Sequence, residues 1–133
     1  MTTTITGTAY ICDEGRAQTA ATEGGTVVSP WTDIALNGAS VSAPYTSKGY
    51  ADATIISGSG LDRVTVTPSV DSTYYTKWTY TFSATGDDTI YDVLILNANN
   101  KCQVWVHLDS PLDIVNQETF QVTIRNQHTA GVS

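Results

Sequence analysis

The sequence has few of the residues from which catalytic and metal sites are usually built. Its 133 residues include two cysteines and two histidines. His107 and His128 lack the spacing of paired metal ligands, and Cys12 has no CxxC partner, so no metal site is predicted. Nucleotide-binding glycine motifs and the DxDxDG calcium loop are also missing from the sequence. We therefore expect a protein that works without a cofactor.

Charged residues are scarce too, at 14% of the chain, against about 25% in an average globular protein. Thirteen acidic residues face six basic ones, which gives a net charge of −7. Such a chain repels a phosphate backbone, so nucleic acid is excluded as a partner. No run of 18 apolar residues occurs, and residues 1–10 lack the features of a signal peptide. We expect no membrane partner, and a protein made and kept in the cytosol.

The few titratable residues do not form a catalytic pattern. Neither histidine lies near a GxSxG motif, and His107 is predicted to be an exposed polar residue on the outer face of a strand. The acidic pairs at 13–14 and 87–88 fall in predicted turns or loops, where aspartate caps backbone groups. Asp92 interrupts an apolar strand, and we expect it to face solvent or to pair with a lysine or arginine. We therefore predict that the protein is not an enzyme.

What the sequence has in abundance is β-branched residues. Threonine, valine and isoleucine together make up 43 of the 133 residues. These residues lose rotamer freedom on helices and pack well on pleated surfaces, so the chain is predicted to be all-β. Its length fits one domain over residues 1–133. We expect a single antiparallel β-sandwich or jelly-roll-like domain, with long irregular loops in the first half.

The second half shows the clearest periodicity. Residues 74–84 alternate with period two, and a strand with an aromatic inner face is predicted there. That inner face comprises Tyr74, Thr76, Trp78, Tyr80, Phe82 and Ala84. Residues 89–97 are almost continuously apolar, which indicates a central strand covered on both faces. Predicted turns at 86–88 and 98–100 separate these strands from each other and from the next one.

Two further strands are predicted toward the end of the chain. Residues 101–108 alternate, and the inward set is Cys102, Val104, Val106 and Leu108. A loop is expected at 109–111, since proline cannot donate to a sheet ladder. A final strand over 119–125 places Phe120, Val122 and Ile124 inward.

The first half is less regular. Strands are predicted near residues 4–11, 26–36, 53–56 and 63–70, with loops over 17–25 and 37–50. Long irregular loops are usually functional or stabilised by neighbours, so we expect contacts with partners there. The polar ends at 2–4 and 129–133 would not order by apolar burial. We expect neighbouring subunits to hold them, and pairing within the sheet is the alternative.

Aromatic residues in or beside these loops are the candidate interface residues. They are Trp31, Tyr45 and Tyr50, together with Trp105 on the outer face of its strand. Loop aromatics stack on sugars or anchor protein interfaces, and burial against the protein's own sheet is the alternative. Trp105 is expected either to pack under a loop or to meet another subunit.

The two cysteines lie 90 positions apart in a chain without a signal peptide. Cys12 and Cys102 are therefore predicted to be free thiols. Because Cys102 alternates with apolar residues, we expect it to be a small buried residue.

The segment WTYTFSATGDDTI at 78–90 is followed by Leu94, Leu96 and Asn97, and the chain closes on FQVTI at 120–124. This pattern, over residues 74–126, resembles the C-terminal half of small β-rich virion proteins of tailed bacteriophages. The resemblance implies a structural component of the particle, with capsid decoration (a cement protein) as the first choice and a neck or tail component as the second. It implies no catalytic residues. A carbohydrate-binding or adhesin module is the alternative.

The same resemblance sets the expected partners and location. A decoration protein contacts copies of itself, expected here as a trimer, and the major capsid protein. It would be located on the capsid surface of the virion after assembly in the host cytoplasm. Many modest contacts repeated by symmetry give avidity without a deep pocket. The acidic balance would complement basic capsid patches or keep the free subunit soluble.

Overall fold

The computed structural model describes residues 2–3, 7–72 and 75–127. It contains two β-sheets and the α-helix α1 (Asp13–Glu23), with a 3-10 turn at Tyr50–Asp52. The strands are β1 (Thr2–Thr3), β2 (Gly7–Ile11), β3 (Trp31–Asn37), β4 (Val64–Thr65), β5 (Ser69–Ser72), β6 (Tyr75–Ser83), β7 (Asp88–Asn97), β8 (Cys102–Ile114) and β9 (Thr119–Gln127). The prediction of an all-β, sandwich-like fold is confirmed.

Along the chain, the paired strands β6 and β9 flank the β7–β8 hairpin. The four-stranded sheet has the order β1-β9-β6-β5, and the five-stranded sheet has the order β2-β8-β7-β3-β4. The β7–β8 hairpin lies in the five-stranded sheet, whereas the flanking β6 and β9 pair in the other sheet. All pairs are antiparallel except β1 with β9. Of the polar ends at 2–4 and 129–133, residue 4 and residues 129–133 lie outside the described residues, and residues 2–3 pair with β9 of the chain's own sheet.

Apolar side chains from both sheets form the main core. On β6, Trp78 and Phe82 are buried as predicted, and Phe82 stacks on Phe120 of β9 with ring centroids 5.2 Å apart. Val122 and Ile124 are also buried, which confirms the predicted inner face of the last strand. The prediction for Tyr80 is wrong: its side chain is 38% exposed and meets the edge of the Phe82 ring. Tyr74 lies outside the described residues.

A second core covers the other face of the five-stranded sheet. Val93–Leu96 of β7 are essentially without exposed area, so the prediction of a strand covered on both faces is confirmed. The outer layer consists of Cys12, Ala35, Leu94, Leu96, Cys102 and Trp105. We call this set the outer cluster. Residues of the loop 38–56 pack on it, among them Val41, Tyr45 and Tyr50.

The pairing of β8 with β7 contains two register shifts that the predicted alternation does not include. Pairing passes from Asp92↔His107 to Ile90↔Leu112, so residues 108–111 bulge inside a continuous strand that replaces the predicted loop. A second shift, from Ile95↔Val104 to Leu96↔Cys102, leaves Gln103 without a partner on β7, while its carbonyl accepts a hydrogen bond from the Cys12 N–H at 3.0 Å. One extra residue reverses the side on which the next side chain lies. The Cys102 side chain therefore joins the outer cluster, whereas that of Val104 lies in the main core, and Cys102 is buried as predicted.

The first half contains the largest departures. The predicted loop at 17–25 is wrong, because residues 13–23 form α1. Asp13 and Glu14 lie in its first turn, where their negative charges interact favourably with the positive end of the helix dipole. Gly15 faces Gln103 so closely that a Cβ would lie 2.6 Å from Gln103 Oε1, so the missing side chain lets the helix approach β8.

The strands predicted in this half are only partly correct. The strand predicted at 26–36 begins at Trp31. The strand predicted at 53–56 is a single bridge from Ile55 to Asn37. The segment predicted at 63–70 divides into β4 and β5, which belong to different sheets. Pro68 lies between those two strands, where its missing N–H costs no ladder bond.

Replacing Phe82 with alanine tests the two-ring stack in the main core. Removing a buried aromatic side chain leaves a cavity and should lower the free energy of unfolding by about 3–5 kcal/mol. The matched control is Thr81→Ala on the exposed face of the same strand, which creates no cavity and is expected to lower stability by no more than about 1 kcal/mol. Urea denaturation followed by tryptophan fluorescence measures both. Equal effects of the two substitutions would contradict the assignment of faces on β6.

Candidate functional site

A buried carboxylate organises the outer side of the five-stranded sheet. Asp92 of β7 has no exposed area, yet it interrupts an otherwise apolar strand. Its Oδ1 accepts hydrogen bonds from Trp105 Nε1 at 2.9 Å and from His107 Nδ1 at 2.8 Å. Its Oδ2 accepts one from Asn37 Nδ2 at 2.7 Å. The expectation that Asp92 faces solvent or pairs with lysine or arginine is wrong, because three neutral or titratable donors satisfy it instead.

Asn37 links this carboxylate to the loop 38–56. Its Nδ2 also donates to the Ala39 carbonyl at 2.7 Å, and its Oδ1 accepts from the backbone N–H of Ala39 and of Thr54, the latter at 2.9 Å. One fully buried side chain thus holds both ends of the loop. Because buried polar groups are costly when unpaired, this network favours a single conformation of the loop.

His107 lies at the edge of the network. Its side chain is 37% exposed, and the prediction of a simply exposed polar residue is corrected by its bond to Asp92. The Tyr45 ring stacks on the imidazole, with centroids 4.3 Å apart and planes 17° from parallel. The Tyr45 hydroxyl lies 3.2 Å from His107 Nε2 and approaches it from above the ring plane. Burial, followed by the charges of Asp92 and Tyr10, raises the pKa of the Tyr45 phenol.

Three of the four candidate interface aromatics meet on this side. Tyr45 stacks on Trp105 at 6.4 Å, and Tyr50 packs on the same outer cluster with the Arg63 guanidinium 5.8 Å from its ring. Trp105 has no exposed area, so of its two expected positions it occupies the one under the loop. It offers no surface to a partner while the loop is in place. Trp31 lies elsewhere, at the start of β3, where its carbonyl accepts a bond from Trp78 Nε1.

The two cysteines are close in space and buried. The Cys12 and Cys102 Sγ atoms are 3.3 Å apart, and both residues are free thiols in the structure. The Cys102 thiol also donates to the Val104 carbonyl at 3.3 Å. The hydrogen bond with Cys12, followed by burial, raises the pKa of the Cys102 thiol. Both effects disfavour the reactive thiolate.

The acidic residues of the turns bond to nearby groups, most of them on the backbone. Asp87 accepts from the Asn116 N–H at 2.8 Å, and Asp88 accepts from the Thr89 N–H at 2.8 Å. Glu14 accepts from the Cys102 N–H at 3.3 Å and pairs with Lys101. Among residues 2–3, 7–72 and 75–127, no three histidine, cysteine, aspartate or glutamate side chains are grouped to hold a metal ion.

The outer face of the β6–β9 strand pair is uncharged over most of its length. Thr79, Thr81 and Ser83 on β6 lie opposite Thr123, Gln121 and Thr119 on β9. All but Thr119 are exposed, and the Thr79 and Thr123 hydroxyls bond at 2.9 Å. Charge enters this face at one end, with Lys77 and Arg125. We call the uncharged set, Thr79, Thr81, Ser83, Thr119, Gln121 and Thr123, the hydroxyl face. The period-two pattern of residues 74–84 already assigned its β6 half to the outside.

Comparison with known protein families, curated proteins and solved structures finds no match to this chain. In the part of the chain that the structure covers, no helix has the length and apolar character needed to cross a membrane.

Replacing Asp92 with alanine tests the network. It leaves the buried Trp105 N–H without its acceptor, removes one of the two acceptors of Asn37 Nδ2 and opens a cavity, so the free energy of unfolding should fall by about 3 kcal/mol. Asp109→Ala, on an exposed residue of β8, is the control and should change stability by less than about 0.5 kcal/mol. Chemical denaturation provides the measurement. Wild-type stability of the Asp92 variant would show that the network does not hold the loop.

Thiol reactivity tests the cysteine pair. In the native protein, Cys12 and Cys102 should react with Ellman's reagent far more slowly than a free exposed thiol, because both are buried and the pKa of Cys102 is raised. Both should react at once in denaturant. Fast release of the coloured product from the native protein would contradict the buried arrangement.

Proposed function

We propose that this chain is a non-enzymatic structural protein of a virion, and that it acts as a capsid decoration protein on the head of a tailed bacteriophage. The observation that supports the proposal best is the hydroxyl face. A soluble domain usually carries roughly a quarter to a third charged residues over its surface. Here two paired strands present six side chains without a charge, in a protein whose net charge is −7.

An uncharged face suits contact with a neighbouring subunit. Charged residues are depleted in the centre of protein interfaces, because an unpaired charge is costly to remove from water. Threonine hydroxyls and a glutamine amide can exchange water for hydrogen bonds to a partner at little cost. The occupant that we assign to this face is a second copy of this chain, within the expected trimer.

The outer side of the other sheet supports a structural role in a different way. The Asp92–His107 pair has the form of an acid–base pair, but Asp92 is committed to three donors, two of which anchor the loop and the outer cluster. The hydroxyl that lies 3.2 Å from His107 Nε2 belongs to Tyr45, and burial raises the pKa of that phenol further above its ordinary value. A nucleophile needs the opposite shift. These groups therefore serve to hold the loop 38–56 in place.

Thr81→Glu tests the proposed interface at the centre of the hydroxyl face. The wild-type protein should sediment as a homo-oligomer in analytical ultracentrifugation and should cosediment with purified heads of the phage that encodes it. A carboxylate at Thr81 should weaken self-association by about a hundredfold, since burying it unpaired costs several kcal/mol.

Ser42→Glu is the matched control, because it adds the same charge to an exposed residue of the loop 38–56, which covers the other sheet. It should behave as wild type in both assays. A wild-type protein that stays monomeric and does not bind heads would overturn the proposed function. Self-association that Thr81→Glu leaves unchanged would overturn the assignment of the hydroxyl face as the interface.

A further inference from the structure

The two cysteines of the chain meet where the start of α1, the start of β8 and the covering loop come together. Cys12 lies between β2 and α1, and Cys102 is the first residue of β8. The Cys12 N–H donates to the Gln103 carbonyl at 3.0 Å, so the two backbone segments are direct neighbours. The next residue, Asp13, donates its N–H at 2.8 Å to the carbonyl of Thr46, which lies in the loop that covers the outer cluster. A bond between the cysteines would therefore fasten the start of α1 to β8.

The register of β8 brings the two side chains into contact. Regular alternation would place Cys102 on the side of Val104, in the main core. The register shift instead turns Cys102 to the side of the sheet on which Cys12 lies. Their Sγ atoms are 3.3 Å apart. Because a disulfide bond is about 2.05 Å long, the sulfurs need to approach each other by only about 1.3 Å.

We propose that Cys12 and Cys102 form a disulfide bond when the protein meets a peroxide, and that this bond is a redox-controlled staple of α1. In the first step, the deprotonated Cys12 sulfur attacks one oxygen of hydrogen peroxide, the O–O bond breaks, and hydroxide leaves and takes up the thiol proton to form water. The product is a sulfenic acid on Cys12. In the second step, the Cys102 sulfur attacks the Cys12 sulfur, the S–O bond breaks, and the hydroxyl group leaves with the Cys102 proton as a second water. Two thiols are oxidised to one disulfide, and one peroxide is reduced to two water molecules.

Burial determines which oxidant can act and how fast. Neither cysteine has exposed area, so the peroxide reaches them only when this part of the chain opens locally. Cys12 is flanked by the exposed residues Ile11 and Asp13, so that the opening involves only the junction of β2 and α1. The hydrogen bond with Cys12, followed by burial, raises the pKa of the Cys102 thiol, so Cys12 is the sulfur that reacts first. We expect a reaction over hours with a small oxidant. The staple requires only the oxidant and does not depend on the function proposed above.

Peptide mapping after peroxide treatment is the direct test. The reduced protein is kept overnight in millimolar hydrogen peroxide, catalase removes the peroxide, iodoacetamide blocks the remaining thiols in denaturant, and trypsin digests the chain without reductant. Cleavage after Arg16, Lys101 and Arg125 leaves one cysteine on peptide 1–16 and the other on peptide 102–125. Mass spectrometry should find the two peptides joined, about 2 Da lighter than the summed masses of the peptides that a reducing agent releases from the pair. Two separate alkylated peptides, or peptides that carry sulfinic or sulfonic acid, would overturn the proposal.

A non-reducing gel shows whether the bond lies within one chain. The oxidised wild-type protein should run as a monomer. Cys12→Ala and Cys102→Ala each leave one buried thiol, and both variants should stay unlinked monomers after the same treatment. A wild-type protein that appears mainly as a disulfide-linked dimer would show that the bond joins two chains, which contradicts the staple.

Thermal unfolding tests the effect of the bond on the fold. A disulfide between cysteines 90 positions apart constrains the unfolded chain strongly, so oxidation should raise the Tm by about 10 °C. A reducing agent should return the Tm to its starting value, and this comparison uses the wild-type protein alone. Cys102→Ala, treated in the same way, is the control and should show no rise. An unchanged or lower Tm of the oxidised wild-type protein would show that the bond does not fit the native fold and would overturn the staple.

Discussion

The structure on one side of the sandwich depends on the buried carboxylate of Asp92. A charge without exposed area is tolerated only when hydrogen bonds replace the water that it loses. Here the donors come from the end of β3 and from β8, and they meet at one residue of β7. Because Asn37 also binds both ends of the loop 38–56, the same interaction fixes the cover of the outer cluster. The dry packing of Trp105 and the ordered position of Tyr45 both follow from it.

The sequence predicts those strands whose pattern is local. On β9 buried and exposed residues alternate without interruption, and on β6 Tyr80 departs from the pattern, whereas the buried Phe82, Phe120 and Val122 follow it. On β8, Gln103 has no partner on β7, and Cys102 changes side. Alternation cannot reveal such a bulge, since the residues on either side of it still look like a regular strand.

The sequence pattern does not predict α1, for a related reason. Residues 13–23 are rich in alanine, threonine and charge, with little apolar periodicity, and Cys12 gives no side-chain cap at its start. The acidic first turn was the available signal. What places the helix is a long-range contact, the close approach of Gly15 to Gln103, which no window of the sequence contains.

The sequence predicts several residues of the candidate site, but it does not predict which of them contact each other. Loop aromatics such as Tyr45 and Tyr50 stand out in the sequence, whereas their partners lie far along the chain: His107 is 62 positions from Tyr45, and Asp92 is 55 positions from Asn37. The long-range pairing of β7 with β3 and β8 brings these groups together. The hydroxyl face was visible in part, because period two separates Thr79 and Thr81 from the buried Trp78 and Phe82.

The proposed role as a virion structural protein unites these features: one sheet presents an uncharged face, and the other carries a loop held by a buried network. The most direct test is cryo-electron microscopy of purified heads of the phage that encodes this chain, compared with heads from a mutant that lacks the gene. The account predicts a β-sandwich on the outside of the wild-type shell, with the hydroxyl face against a neighbouring subunit, and no such density in the mutant. Identical maps of the two kinds of head would contradict it.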